Sequence, residues 1–142
     1  AFFGQKDFQQ QLIIRRMVRD LNFPIEIVTC PIIREADGLA MSSRNRYLSV
    51  EERRAATAIS QSLWFAESIA TQPGALPAAV QLALAERLKT TPGIDLQYAV
   101  LADPDTLTQL PITSQANTAV ALIAARVGTT RLLDNHILKF RL

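Results

Sequence analysis

Between Ala1 and Cys30 the apolar pattern changes period twice, and that change decides the fold class. Ala1-Phe2-Phe3 is a short apolar run stopped by Gly4, as at the end of a buried parallel strand. From Lys6 to about Asn22, the apolar residues Phe8, Leu12, Ile13, Met17, Val18 and Leu21 recur at helical spacing. Gln9, Arg16 and Asp20 fall largely between them, and Asn22 with Pro24 closes the helix. Ile25 to Cys30 runs apolar more than it alternates, which suits a second strand covered on both faces. Parallel strands need a crossover, most often a helix, so this order predicts one βαβ unit of a doubly wound α/β sheet.

After Cys30 the texture changes. Arg34 to Tyr47 carries Glu35, Asp37, Gly38, Ser42, Ser43 and Asn45 and has neither a helical nor a strand period. A charged, glycine-containing loop of this length is more often functional than idle. Ser49 followed by Glu52 is a capping box, opening a long helix with Ile59, Leu63, Ala66 and Ile69 on one face. Pro73-Gly74 ends it, and Leu76 to Lys89 reads as another helix, ended by Pro92-Gly93. Ile94 to Ala102, Thr118 to Val127 and Arg131 to Leu138 are strand candidates rich in Val, Ile and Leu, with Gly128 suited to a tight turn. The chain thus divides near Ser49. Residues 1–48 read as the C-terminal portion of an α/β domain, and residues 49–142 as a small α+β module of two helices and about three antiparallel strands.

Composition narrows the partners. Apolar residues make up 49% and charged residues 20%, as in an ordinary globular protein rather than a disordered one. A net charge of +2, with basic residues spread along the chain, argues against a nucleic-acid partner. No apolar run approaches the roughly 20 residues that cross a bilayer, and the chain opens with no basic-then-apolar leader. Cys30 is the single cysteine, so no intrachain disulfide or thiolate cluster is expected, and a cytoplasmic setting is the simplest inference. The opening Ala1-Phe2-Phe3, inside a strand and without methionine, reads as a piece of a longer protein.

Two stretches could carry chemistry. In Gly4-Gln5-Lys6-Asp7-Phe8-Gln9-Gln10 a strand ends, a glycine lets backbone approach a ligand, and a helix begins. Helix N-termini bind anions through free N–H groups, and Lys6 adds a point charge suited to phosphate. Gln10, four residues on, is expected one turn along the same face, so a phosphate and a hydroxyl or carboxylate could be neighbours there. A solvated helix start with a surface lysine fits the same spacing. In Arg34 to Arg46, Ser42, Ser43 and Arg44 make a cradle for a polyphosphate, with Met41 as an apolar surface for a base. The alternative is a polar loop that caps the next helix. Elsewhere His136 reads as structural or surface, Trp64 as core packing, and Cys30 as a small hydrophobe. Asp103, Asp105 and Asp134 read as turn or strand-end residues. No Walker sequence, nucleophile elbow or dinucleotide fingerprint occurs.

Phe3 to Gln10, Arg34 to Ser49, and Ala125-Arg126-Val127-Gly128 with Arg131-Leu132-Leu133-Asp134-Asn135 together resemble the pantothenate synthetases, in order and in distance. That family belongs to the nucleotidyltransferase superfamily, and the resemblance implies a Rossmann-like domain followed by a smaller domain lying over the active site. It implies that Gly4, Gln5, Lys6 and Asp7 contact ATP, that Ile33 faces the adenine through its backbone, and that Met41, Ser42, Ser43 and Arg44 hold the nucleotide. Gln10 would bind pantoate, and Lys6, Ser42 and Arg44 would carry catalysis. ATP, pantoate and β-alanine are the implied substrates, Mg²⁺ the implied cofactor on the phosphates with no protein metal site, and a homodimer the implied assembly. The family's first half, with a histidine motif that also grips ATP, has no counterpart here, so the chain resembles a C-terminal half and is expected to be inactive alone. In some members a cytidylate kinase domain follows the ligase. An isolated structural or association module is the competing expectation. Another nucleotidyltransferase is a further one, which the Arg34 to Ser49 segment argues against.

Overall fold

The computed structural model describes residues 1–141. Its first unit is the expected crossover: β1 (Phe2–Gly4), α1 (Phe8–Asp20) and β2 (Val28–Cys30), with the strands parallel and Phe2, Phe3 and Gly4 facing Val28, Thr29 and Cys30. The strands are shorter than their apolar runs, because each pairs only with the other among the described residues. They are also not covered on both faces: Phe2 is 75% exposed and every residue of β2 is only half-buried. Helix α1 starts two residues later than expected, at Phe8, and Lys6 stands in the turn before it. Asn22, with φ +50, takes the left-handed conformation that turns the chain away after the helix.

The second unit contains α2 (Val50–Ala70), α3 (Pro77–Lys89), β3 (Asp95–Ala102), β4 (Thr118–Val127) and β5 (Thr130–Lys139). Its antiparallel sheet has the order β3-β4-β5, with β4 paired along its whole length from Thr118↔Lys139 to Val127↔Thr130. Gly128, with φ +56, takes the first central position of the hairpin turn, where a type II′ geometry calls for glycine. The capping box forms as read: Ser49 Oγ accepts from Glu52 N–H, and Glu52 accepts from Ser49 N–H. Strand alternation gives the sheet two working faces. Ala121, Ile123, Ala125 and Val127 pack with Ile59, Leu63, Leu84 and Leu88 of α2 and α3. Each fully buried Ile or Leu there contributes about 1.5–3 kcal/mol. Val120 and Leu122 face the other way and meet Phe8 of α1, so the first unit docks on the face opposite the helices.

Arg34 to Tyr47 is more ordered than its lack of period suggested. Met41 N–H donates to Ile33 O at 2.8 Å, Glu35 N–H to Leu39 O at 2.9 Å, and Gly38 N–H to Glu35 O at 2.8 Å, closing a tight hairpin. A 3-10 helix follows at Ser43–Tyr47. Hairpin arms this short display no alternation, and one turn of 3-10 helix has no 3.6-residue period, so neither could be read from spacing. Gly38 has φ +86, and a Cβ there would come within 2.7 Å of the Trp64 ring. Trp64 is therefore not core packing: it is 43% exposed and lies against this hairpin. Leu39, at the hairpin's end, is buried in the core of the second unit.

Candidate functional site

Both stretches singled out in the sequence leave the C-terminal ends of parallel strands, β1 and β2, where open α/β sheets place their ligands. Gln5 N–H donates to Cys30 O at 2.8 Å and keeps the two exits together. Two adjacent residues of β5 then fasten them. Asn135, 1% exposed, donates from Nδ2 to Gln5 O at 3.0 Å and to Lys6 O at 2.9 Å, and accepts from Gln5 Nε2 at 3.3 Å. Asp134 takes Arg34 in a two-pronged pair, Nη1–Oδ2 at 2.7 Å and Nη2–Oδ1 at 3.1 Å. Arg34 also donates to Gly38 O and lies 5.7 Å from the centre of the Trp64 ring. Neighbouring strand residues point to opposite faces, so one strand holds the first turn on one side and the hairpin on the other.

Asp134 is thus not a strand-end residue. It sits in mid-strand as a buried ion-pair partner. The available signal was an Asp-Asn pair between the apolar pairs Leu132-Leu133 and Ile137-Leu138 of one strand. Its partners lie 100 and 130 residues away and leave no local trace.

Lys6, Asp7 and Gln10 line one cavity of about 380 Å³, walled by Phe8 of α1 and by Tyr98, Leu122 and Leu133 of the docked sheet face. Lys6 and Gln10 are therefore brought together as expected, although Lys6 precedes the helix and Asp7 is its N-cap residue. Above Gly4 the space is open: a Cβ there would meet no protein atom within 4 Å. Ile33, Met41, Ser43 and Arg44 are exposed and do not line this cavity. Ser42 does cap the 3-10 helix, its Oγ accepting from Arg44 N–H at 3.3 Å. A larger open hollow, about 850 Å³, lies along Leu12, Arg16, Phe23 and Ile25 and holds none of the predicted site residues.

An ionic network stiffens the hairpin. Arg53 of α2 donates to Glu35 at 2.7 Å and to Asp37 at 2.8 Å, and Asn45 Nδ2 donates to Glu35 at 2.6 Å and to Ala40 O at 3.1 Å. The Asn45 hydrogen bond, followed by that of Arg53, holds the Glu35 carboxyl below the usual carboxylate range. At Asp37 partial desolvation pushes upward, but the Leu39 amide and Arg53 outweigh it and the net shift is down. The same two carboxylates raise the Arg53 guanidinium above its ordinary value, the Glu35 hydrogen bond first. His136 is half-buried, with Nε2 3.1 Å from Glu67 Oε1 of α2, in keeping with a structural role. Asp103 is a turn residue, accepting from Asp105 N–H and Thr106 N–H.

Residues 1–137 match the family model described as pantoate-beta-alanine ligase. The chain belongs to this family. It is 52% identical over 136 residues to the pantothenate synthetase of Rhodopirellula baltica, covering 96% of this chain and 47% of that protein. The crystal structure of the Thermus thermophilus pantothenate synthetase superposes with a TM-score of 0.87 at 43% identity, over 96% of this chain and 48% of that one. A pantoate-beta-alanine ligase from Francisella tularensis, crystallised with beta-gamma ATP and beta-alanine, shares the fold at a TM-score of 0.60 and 24% identity, over 96% of this chain and 42% of that one. The chain thus spans about half the length of the pantothenate synthetases it matches. The α/β class, with a parallel pair followed by a three-stranded antiparallel sheet, agrees with those structures.

Proposed function

We propose that the protein carrying this chain condenses pantoate with β-alanine, using ATP and releasing AMP and pyrophosphate, and that this chain supplies one wall of the site. The observation that carries the reading is the fastening of both loops to Asp134 and Asn135 at the exits of parallel strands, with Lys6 and Gln10 facing one cavity. The open space above Gly4 supports it too. A strand glycine costs about 0.5–1 kcal/mol relative to alanine, and no neighbouring atom of the chain requires one there. Close approach of a nucleotide would.

The reaction has two steps. A carboxylate oxygen of pantoate bonds to the α-phosphorus of ATP, the bond to the bridging oxygen of the β-phosphate breaks, and pyrophosphate leaves. The amine of β-alanine then bonds to the acyl carbon, the acyl–phosphate bond breaks, AMP leaves, and the amine loses a proton. Neither step needs a covalent nucleophile on the enzyme. The first needs donors where charge shifts between phosphates. Lys6 and Arg44 supply positive charge, and the Ser42 and Ser43 hydroxyls, with the amides of Gly4 to Asp7, supply donors. Ile33 and Met41 accept the base, and Gln10 takes pantoate. Mg²⁺ carried on the nucleotide phosphates would offset their charge, beside the donors that Lys6, Ser42, Ser43 and Arg44 present. Residues 1–48 then belong to the nucleotide domain. Residues 49–142 form the cover that keeps water from the acyl adenylate. The active assembly is a homodimer in the cytoplasm, where ATP is available. The isolated chain makes no pantothenate.

The test is Lys6→Ala in the full-length ligase. Loss of one preorganised donor should lower pantoate-dependent ATP–pyrophosphate exchange by about 3 kcal/mol of barrier, roughly 100-fold. The melting temperature should hardly move, because Lys6 makes no side-chain hydrogen bond or ion pair among the described residues. Near-normal exchange would refute the assignment.

A further inference from the structure

Every side-chain hydrogen bond that Asn135 makes goes to one turn. Both Nδ2 protons go to consecutive carbonyls, Gln5 O and Lys6 O, and Oδ1 accepts from Gln5 Nε2. A buried amide must satisfy both of its N–H groups, and here both do so on the same turn. Two consecutive anchored carbonyls fix the orientation of two peptide planes. In a trans peptide the N–H lies opposite the C=O, and every described peptide is trans. Fixing Gln5 O and Lys6 O on Asn135 therefore turns the N–H groups of Lys6 and Asp7 to the far side. No described group accepts from either of these N–H groups. They stand between Gly4, with open space above it, and the first turn of α1. Lys6 O is also the carbonyl that would accept from Gln10 N–H in a helix begun one residue earlier. Lys6 O is instead held by Asn135, and α1 begins at Phe8 with Lys6 and Asp7 in the turn before it.

We propose that Asn135 is a positioning residue for adenylation, orienting the Lys6 and Asp7 amides as phosphate donors from the second unit of the fold. This rests on the proposed ligase reading, in which the Gly4–Asp7 turn meets ATP. Asn135 touches no substrate. Its side chain sets two donors that do. The second step, attack of the β-alanine amine on the acyl adenylate, involves no phosphate cleavage at this turn and does not depend on Asn135.

The experiment uses the full-length ligase and separates the two steps. Asn135→Asp keeps the shape but presents a carboxylate to two carbonyl oxygens, so neither peptide plane stays anchored. Pantoate-dependent ATP–pyrophosphate exchange should fall on the order of 100-fold, chiefly in kcat. Release of pantothenate from supplied pantoyl adenylate and β-alanine should change less than about threefold, well inside one decade of rate. Equal loss in both steps would make Asn135 a structural tie and overturn the proposal, as would unchanged exchange. Hydrogen–deuterium exchange on the wild-type ligase gives a reading independent of any variant's folding. Saturation with a non-hydrolysable ATP analogue should protect the Lys6 and Asp7 amides, and an unchanged exchange rate there overturns the proposal as well. Wild-type enzyme with no pantoate-dependent exchange at all would instead refute the ligase reading itself.

Discussion

Asp134→Ala should be strongly destabilising, and the size of its effect can be worked from the geometry. Asp134's side chain is 3% exposed and Arg34's 19%, so the pair is mostly shielded from water. Removing one partner of a buried pair costs about 3–5 kcal/mol, because the other charge is left uncompensated. Arg34 would keep its bond to Gly38 O and its place over Trp64, and part of it reaches water, which puts the expectation near the lower end, about 3 kcal/mol. The Asn135 N–H also loses its acceptor, Asp134 Oδ1 at 2.8 Å, adding about 1 kcal/mol. Urea unfolding followed by circular dichroism reads the total as a drop in midpoint of about 2 M, for a slope of roughly 2 kcal/mol per molar. Trp64, the only tryptophan, lies against Arg34 and reports the same transition by fluorescence. A double-mutant cycle with Arg34→Met cancels the Asn135 loss, leaving the pair's coupling, expected at about 2 kcal/mol. Coupling under about 0.5 kcal/mol, the ordinary scatter between independent sites, would show that Asp134 and Arg34 do not fasten the hairpin.

Three further outcomes follow from the same geometry. Gln10→Ala in the full-length ligase should raise the KM for pantoate far more than that for ATP, since a substrate hydroxyl or carboxylate loses its partner; equal rises would place Gln10 outside the pantoate site. Glu35 and Asp37 have carboxyls held below their ordinary values, so their contribution is complete above the unfolded carboxylate range and is lost as pH falls below about 4. The urea midpoint should therefore drop more between pH 6 and pH 3 in wild type than in Arg53→Met, and parallel curves would dismiss the network. In the isolated chain, hydrogen exchange should be fast in β1 and β2, which contain no fully buried residue and have one partner strand each, and slow in the central β4; equal protection in both would contradict this.

What the sequence disclosed was what local period and local chemistry can encode. The βαβ order, the Ser49–Glu52 capping box, the Gly128 turn and the strand Thr118–Val127 each rest on residues within a few positions of one another. All four stand in the structure as read. The hairpin at Ile33–Met41 escaped because its arms are too short to alternate. Trp64 was misplaced because helical spacing says which face a residue occupies but not what lies above it; here that is Gly38, a glycine from a loop 26 positions earlier. Of the candidate site, Lys6 and Gln10 could be paired from a spacing of four, and the cavity contains both. Arg53 organises two carboxylates 16 and 18 positions away, a range that local spacing does not encode.

The missed residues share a physical signature. Asp134 and Asn135 are buried in a strand that gives Leu132 and Leu138 to the apolar core. Asp and Asn are poor strand formers, and burying either without partners costs several kcal/mol. Local preference and global fold therefore conflict at this point, and such conflicts persist where something outside the strand compensates. The compensation is the Gln5–Lys6 turn on one face and Arg34 on the other. It couples the parts in both directions: the strand tolerates its two polar residues only with the loops docked, and the loops are held only where β5 has formed against β4. Neither unit alone contains a finished loop arrangement. The two stretches carrying the candidate ligands of ATP are set by a strand that comes about 100 residues after them.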